Sequence, residues 1–264
     1  MPRRLLMKRS HLILLLLLLC LFSSCSAGSQ SQSPATSTAK PQSTPSPAIT
    51  PTPTIPAVPS QKVHFQTADN IQLAGLLYGN GKIAVICSHE FRADKSIWDE
   101  SGIPQRLAQR GYRVLAYDFR GNGDSAGKSD VSKLDVDLRA AVGFMRQQGA
   151  STIVLLGSSM GGTASLQVAA SEQIAAVLTL SAPQSFGKGI SDAQIKSISV
   201  PKLFINSEND DYASETQHMY SLASEPKELH LYPGFAHGVN IFMENGSDLT
   251  LRLLTFIEHY APVG

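Results

Sequence analysis

Short, continuous apolar runs alternate regularly with segments of helical periodicity from about residue 61 to the end of the chain. Runs that are apolar throughout, rather than at every second residue, are typical of parallel strands covered by helices on both faces. The pattern therefore predicts an α/β fold with a mostly parallel, eight-stranded sheet and helices on both faces. Strands are predicted at 62–67, 71–78, 82–88, 112–118, 152–157, 174–182, 201–207 and 227–233, and helices at 102–111, 131–148, 160–170, 193–198, 213–223 and 247–260.

Chemically active side chains stand directly after several of these strands. In open α/β sheets, ligands bind beyond the carboxyl ends of the strands, so the residues at these ends are the candidates for a site. Ser159 follows the fifth strand, Asp210 the seventh and His237 the eighth. A serine, a carboxylate and a histidine are therefore expected at one edge of the sheet.

The segment GSSMG at residues 157–161 matches the pattern Gly-x-Ser-x-Gly, and the glycines flank Ser159 rather than Ser158. Between a strand and a helix, this pattern resembles the nucleophile elbow of the α/β-hydrolase superfamily. The segment YDFRGNGDSAG at 117–127 also resembles that superfamily's Asp-x-Arg-Gly-x-Gly-x-Ser stretch, and the resemblance covers the whole of residues 61–264. Only about 20 residues separate the sixth strand from the seventh. The resemblance therefore implies an α/β-hydrolase fold without a substantial cap domain, similar to small lidless esterases and dienelactone hydrolases.

The resemblance implies a catalytic triad with Ser159 as nucleophile. A serine hydroxyl needs a base to remove its proton, and His237, in the loop GFAHG, occupies the family's position for that base. The third member orients the imidazole and stabilises its charged form. The end of the seventh strand favours Asp210 for this role, with Asp211 as the alternative.

The resemblance further implies an oxyanion hole formed by the backbone N–H groups of Met160 and Phe91. Here the sequence departs from the family, because Glu90 stands where many relatives have glycine. A carboxylate beside an oxyanion site is unfavourable unless it points away or is paired. Arg92 and Lys95 are the candidate partners for it.

These features predict a serine hydrolase, most simply one that cleaves a small-molecule carboxylic ester through an acyl-serine. A thioesterase or a peptidase of the same fold is an alternative within enzymes. A non-catalytic cell-surface binding module on the same scaffold is an alternative from another class. The sequence contains no metal-ligand cluster and no phosphate-binding glycine loop, so we expect neither a metal nor a cofactor.

The first 24 residues read as a signal peptide, with a basic flank, an apolar run from Leu12 to Phe22 and small residues after it. The stretch LFSSC resembles a bacterial lipobox, which implies cleavage before Cys25 and a lipid on its thiol. The protein is then exported and held by its lipid on the extracytoplasmic face of the cell membrane.

Residues 25–60 combine that cysteine with a linker rich in Ser, Thr and Pro, which we expect to be disordered. Residues 61–264 are expected to form the single folded domain.

Loss of the signal removes four of the 22 basic residues and none of the 21 acidic ones, so the mature protein carries a small negative charge. No basic patch stands out, so nucleic acid is not expected as a partner. Cys87 remains as a lone thiol in an apolar strand, which predicts no internal disulfide.

Overall fold

The computed structural model describes residues 58–264, so the predicted signal peptide, Cys25 and nearly all of the linker lie outside the described residues. All eight predicted strands are present. In chain order they are β1 Ser60–Gln66, β2 Gln72–Tyr78, β3 Ile83–Ser88, β4 Arg113–Tyr117, β5 Thr152–Ser158, β6 Ala176–Leu180, β7 Lys202–Ser207 and β8 Lys227–Tyr232.

The eight strands form one sheet in the order β1-β2-β4-β3-β5-β6-β7-β8. The six strands β3 to β8 run parallel to one another, and only the pairs β1–β2 and β2–β4 are antiparallel. The prediction of a mostly parallel eight-stranded sheet is therefore confirmed.

Seven α-helices connect or flank these strands in the described part of the chain. They are α1 Ser96–Ser101, α2 Ile103–Gln109, α3 Leu134–Gln147, α4 Met160–Ala169, α5 Asp192–Ser197, α6 Ala213–Leu222 and α7 Ile241–Tyr260.

The helix predictions miss α1 and start α7 too late, at residue 247. Helix α1 has only six residues, too few for periodicity to reveal it. Helix α7 contains one residue with non-helical backbone angles, Asn245 (φ −124°, ψ 23°), beside Gly246. The Asn-Gly pair reads as a break in the sequence, whereas the chain continues helical on both sides of it.

The core has two layers, one on each face of the sheet, because successive residues of a strand point to opposite faces. In β3, for example, Ala84 and Ile86 pack with helices α3 to α6, while Val85 and Cys87 pack with α1, α2 and α7. This two-sided burial explains why the central strands read as unbroken apolar runs. Cys87 is a free thiol buried in this core, and its burial raises its pKa.

The connection from β6 to β7 spans residues 181–201 and contains one short helix, α5. No cap domain covers the sheet edge in this part of the structure, as predicted. Across residues 58–264, no helix combines the length and the apolar character needed to span a bilayer.

Strands β3 and β5 are neighbours in the sheet. From β3 the chain passes to β4, toward one edge of the sheet, and from β5 it passes to β6, toward the other edge. At this reversal Ser88 is in register with Tyr117 of β4 and with Gly157 of β5. The loops after β3 and β5 therefore diverge at a topological switch point, where open α/β sheets form their binding crevice.

Candidate active site

Ser159 occupies the single residue between β5 and α4, and its backbone is strained. Its φ of 48° and ψ of −117° lie in a region that non-glycine residues rarely adopt. Its N–H donates to the Leu180 carbonyl oxygen at 2.8 Å, which ties the turn to the neighbouring strand β6. Residues held in such conformations cluster at functional sites.

The glycines of the motif are required because strand and helix approach closely at this turn. A Cβ added to Gly157 would lie 2.2 Å from the carbonyl oxygen of Gly161, far inside van der Waals contact. The Gly-x-Ser-x-Gly pattern is therefore the sequence signature of a sharp turn that presents Ser159 at the sheet edge.

Asp210 and His237 form a hydrogen-bonded pair at the same edge of the sheet. His237 Nδ1 donates to Asp210 Oδ2 at 2.6 Å, and Asp210 Oδ1 accepts from the Tyr212 N–H at 2.8 Å. The Asp210 side chain is buried, whereas Asp211 is exposed and forms no hydrogen bond or ion pair with His237. Between the two aspartates left open by the sequence, Asp210 is the partner of the imidazole. With the proton on Nδ1, the Nε2 atom of His237 is free to accept one.

Buried serines hold the backbone on both sides of His237. The Ser207 hydroxyl donates to the Ala236 carbonyl oxygen at 2.6 Å, and the Gly238 N–H donates to Ser181 Oγ at 2.9 Å. The Ser181 hydroxyl in turn donates to Asn206 Oδ1 at 2.6 Å. Sequence reasoning missed these residues. The signal that could have found them is their position, since Ser181 directly follows β6 and Asn206 and Ser207 are the last two residues of β7.

Ser159 and His237 lie on adjoining segments, but the structure contains no direct hydrogen bond between them. In the described chain the Ser159 hydroxyl has no hydrogen-bond partner, and Ser159 is 6% exposed. The two segments meet closely, since a Cβ on Gly238 would lie 2.4 Å from Ser158 Oγ. Hydrogen bonds between nucleophile and base are often long without substrate and shorten when it binds.

The N–H groups of Met160 and Phe91 are available as oxyanion donors. Met160 is the first residue of α4, where backbone N–H groups lack intrahelical partners and the helix dipole favours negative charge. Neither the Met160 nor the Phe91 N–H has an acceptor among residues 58–264.

His89 fixes the orientation of the peptide that carries the Phe91 N–H. His89 Nε2 accepts from the Phe119 N–H at 3.0 Å, so Nδ1 bears the proton and donates to the Glu90 carbonyl oxygen at 2.7 Å. Since carbonyl and N–H point in opposite directions across a trans peptide, the Phe91 N–H points away from His89. Burial lowers the pKa of His89, and the neutral ring is the form that can both accept and donate here. These two hydrogen bonds give His89 a role in organising the loop after β3.

Glu90 does not pair with either basic residue proposed from the sequence, and that expectation is wrong. Lys95 instead forms ion pairs with Asp118 at 2.6 Å and Asp124 at 2.8 Å. Arg92 lies over the ring of Phe91, 5.3 Å from its centroid. The Asp118 carboxylate attracts Lys95 because it is buried in the loop that begins the Asp-x-Arg-Gly segment, where a charge needs a partner.

Burial and nearby carboxylates act on the pKa of His237 in opposite directions. Burial alone lowers this pKa, but the hydrogen bond and charge of Asp210, with the charges of Glu90 and Asp211, leave it raised above its usual value. A raised pKa makes His237 a stronger base and extends its protonated form toward neutral pH.

An open cleft of about 360 Å³ adjoins His237. Its lining residues are Asn209, Asp210, Asp211, Tyr212, Phe235 and His237. Phe235 is 77% exposed. On the loop after β3, Phe91 is also exposed, and its ring centroid lies 5.5 Å from that of Phe186 with the two rings tilted by 58°. A larger cleft of about 520 Å³ lies at the amino-terminal ends of β5 and β6, away from these residues.

Within residues 58–264, no group of three or more His, Cys, Asp or Glu side chains is arranged to hold a metal ion.

Comparison with known proteins gives one family match. Residues 84–190 match the model of a family described as serine aminopeptidase, S33. This range includes Ser159 and ends before Asp210 and His237. The chain is also 29% identical over 168 residues to the uncharacterized protein YfhR of Escherichia coli K12, a match that covers 54% of this chain and 59% of YfhR. The chain thus spans about three fifths of the length of this curated relative.

Solved structures show the fold. The esterase Pf2001 of Pyrococcus furiosus superposes with a TM-score of 0.69 at 22% identity, over 78% of this chain and 94% of that one. The esterase domain of a Rhodothermus marinus protein superposes with a TM-score of 0.64 at 21% identity, over 78% and 100% of the two chains. The protein has the α/β-hydrolase fold, which confirms the fold predicted from the sequence.

We expect Gly157→Ala to lower the free energy of unfolding by about 1–3 kcal/mol, since the added Cβ forces the strand-to-helix turn open. Gly143→Ala is the matched control, because no atom lies within 4 Å of its new Cβ in the middle of α3. That control should raise stability by about 0.5–1 kcal/mol. Urea denaturation measures both effects. A Gly157→Ala protein as stable as the wild type would show that the turn does not need glycine there.

Proposed function

We propose that this protein is a serine hydrolase that cleaves carboxylic esters through an acyl-serine intermediate. Ser159 is the nucleophile, His237 the general base and acid, and Asp210 the residue that orients His237. The observation that carries the proposal is the Asp210–His237 hydrogen bond of 2.6 Å, on a loop packed against the strained turn that bears Ser159.

In the acylation half of the reaction, Ser159 Oγ attacks the ester carbonyl carbon while His237 Nε2 takes the hydroxyl proton. Asp210 stabilises the imidazolium through its hydrogen bond to Nδ1. The negative charge that develops on the carbonyl oxygen is stabilised by the Met160 and Phe91 N–H groups. Collapse of the tetrahedral intermediate breaks the ester C–O bond, and His237 returns the proton to the leaving alcohol.

In the deacylation half, water replaces the alcohol. His237 Nε2 removes a proton from the water as its oxygen attacks the acyl carbon. The second tetrahedral intermediate collapses and releases the acid, and the proton returns to Ser159 Oγ. The net reaction is ester plus water to acid plus alcohol, and it needs no metal or cofactor.

The open cleft supports small-molecule substrates. Exposed Phe235 lines the cleft beside His237, and exposed Phe91 lies on the loop after β3. Both rings offer apolar surface for a small or medium acyl or alcohol group. The names of the solved esterases with this fold agree with ester substrates, while fold alone does not set the leaving group.

Peptide hydrolysis is the second candidate, and the family match over residues 84–190 favours it. Asp211 lines the cleft beside His237 and offers a carboxylate to the amino group of a peptide. Turnover of an aminoacyl nitroanilide faster than of a nitrophenyl ester of the same acyl group would favour this candidate over the esterase. A non-catalytic binding module is disfavoured, because all three proposed catalytic residues are present in the chain.

We also propose that the protein is exported and anchored in the membrane by a lipid on Cys25, with residues 26–60 as the spacer to the catalytic domain. The lipobox-like stretch LFSSC supports this proposal. Mass spectrometry of the amino-terminal peptide from membrane-extracted protein should reveal a diacylglyceryl thioether on Cys25, and its loss in Cys25→Ala. An unmodified Cys25, or a mature chain that begins elsewhere, would rule the anchor out.

For the catalytic proposal, we expect a fluorophosphonate probe to label the wild type and Ser158→Ala but not Ser159→Ala. Turnover of a short-chain nitrophenyl ester should fall about 10⁴-fold or more in Ser159→Ala. Circular dichroism would establish that each variant is folded. Labelling of Ser159→Ala, or undiminished turnover by it, would contradict the assignment of the nucleophile.

A further inference from the structure

Glu90 links its own loop to two other segments of the active site through one carboxylate oxygen. Its backbone belongs to the loop that supplies the Phe91 N–H. Its Oε2 atom accepts from the Ser158 hydroxyl at 2.7 Å and from the Val239 N–H at 3.3 Å. Ser158 is the neighbour of the proposed nucleophile, and Val239 lies two residues after the proposed base.

The packing around this oxygen is tight. Gly238 has φ +57°, and a Cβ there would lie 2.2 Å from Glu90 Oε2 and 2.4 Å from Ser158 Oγ. Glycine at this position therefore lets the histidine segment, the Ser159 turn and the Glu90 loop meet at one point.

The donors to the Glu90 carboxylate, both of them to Oε2, are neutral. In the described part of the chain no basic side chain forms an ion pair with it, since Lys95 is engaged by Asp118 and Asp124. Its negative charge is thus left to act on neighbouring groups, among them the His237 imidazole, whose pKa it helps to raise.

From this arrangement we propose that Glu90 is a positioning residue, whose carboxylate holds the Phe91 loop, the Ser159 turn and the His237 segment together. The proposal rests on the function proposed above and adds to it a fourth side chain, one that touches neither the substrate nor the reacting atoms. The same carboxylate stabilises the imidazolium that forms when Ser159 attacks.

Several groups face His237, and their contributions can be separated by substitution. Asp210 and Asp211 approach from the segment after β7, with the ring of Tyr212 at 5.6 Å, and Glu90 approaches from the loop after β3. Glu90 raises the pKa of His237 more than the exposed Asp211 does. Neutralising Glu90 should therefore lower that pKa more than neutralising Asp211.

The test compares the full-length wild type with Glu90→Gln, Glu90→Ala and Asp211→Asn. Glutamine keeps an oxygen acceptor for Ser158 and Val239 but removes the charge, whereas alanine removes both. Asp211→Asn is the matched control, because it removes a nearby carboxylate that forms no hydrogen bond or ion pair with His237. The readouts are NMR titration of the His237 ring and the pH profiles of kcat and of kcat/KM for a neutral nitrophenyl ester.

For Glu90→Gln we expect the ratio of activity at about pH 5.5 to that at about pH 8 to rise about threefold, since a lower pKa leaves more His237 neutral in acid. The rise for Asp211→Asn should be smaller. The plateau kcat should stay within about threefold of the wild type in Glu90→Gln and fall about tenfold or more in Glu90→Ala, because only alanine releases the three segments.

An unchanged His237 titration in Glu90→Gln would overturn the electrostatic part of the proposal. A plateau kcat in folded Glu90→Ala equal to that of the wild type would overturn the positioning part. If the wild type shows neither turnover nor labelling of Ser159, the proposed function fails. The NMR titration then still decides whether the Glu90 charge acts on His237.

Discussion

The strained turn at Ser159 is the constraint around which the candidate site is built. A strand must become a helix within one residue, and this is possible only because Gly157 leaves room for the Gly161 carbonyl. The strain at φ 48° is held by the hydrogen bond to Leu180 and by the parallel pairing of β5 with β3 and β6. The sheet therefore supplies the rigidity that a loop alone would lack, and the turn presents a hydroxyl at the edge where the other strands end.

Hydrogen bonds from buried side chains then fix the partners of this turn. The backbone on either side of His237 is held by Ser207 and Ser181, and the ring itself by Asp210. The Gly238–Ser181 hydrogen bond is buried and the other two are partly buried, so breaking one leaves a polar group with little access to water unsatisfied. Negative charge is concentrated around the imidazole, and its effect on the pKa of His237 exceeds that of burial. The raised pKa makes the imidazole a stronger base.

Much of the fold could be predicted from the sequence, because each buried strand is an uninterrupted apolar run that only a doubly covered sheet explains. The short helix α1 could not be predicted, since six residues contain too little periodicity, and Asn245-Gly246 concealed the true start of α7. For the candidate site, the spacing of the glycines was enough to predict that Ser159 lies at the turn between a strand and a helix. The choice between Asp210 and Asp211 needed the loop conformation, and the environment of Glu90 needed the tertiary packing, because its contacts lie 68 and 149 positions away in the chain.

The most direct measurement is the identification of the residue that carries the acyl group during turnover. The full-length protein would be mixed rapidly with excess nitrophenyl acetate, quenched in acid and digested, and the adduct located by fragmentation mass spectrometry. We expect an acetyl ester on Ser159 that forms in a burst and disappears as the substrate is consumed. Acetylation of Ser158 instead, or hydrolysis of the ester without any adduct on Ser159, would contradict the assignment of Ser159 as the nucleophile.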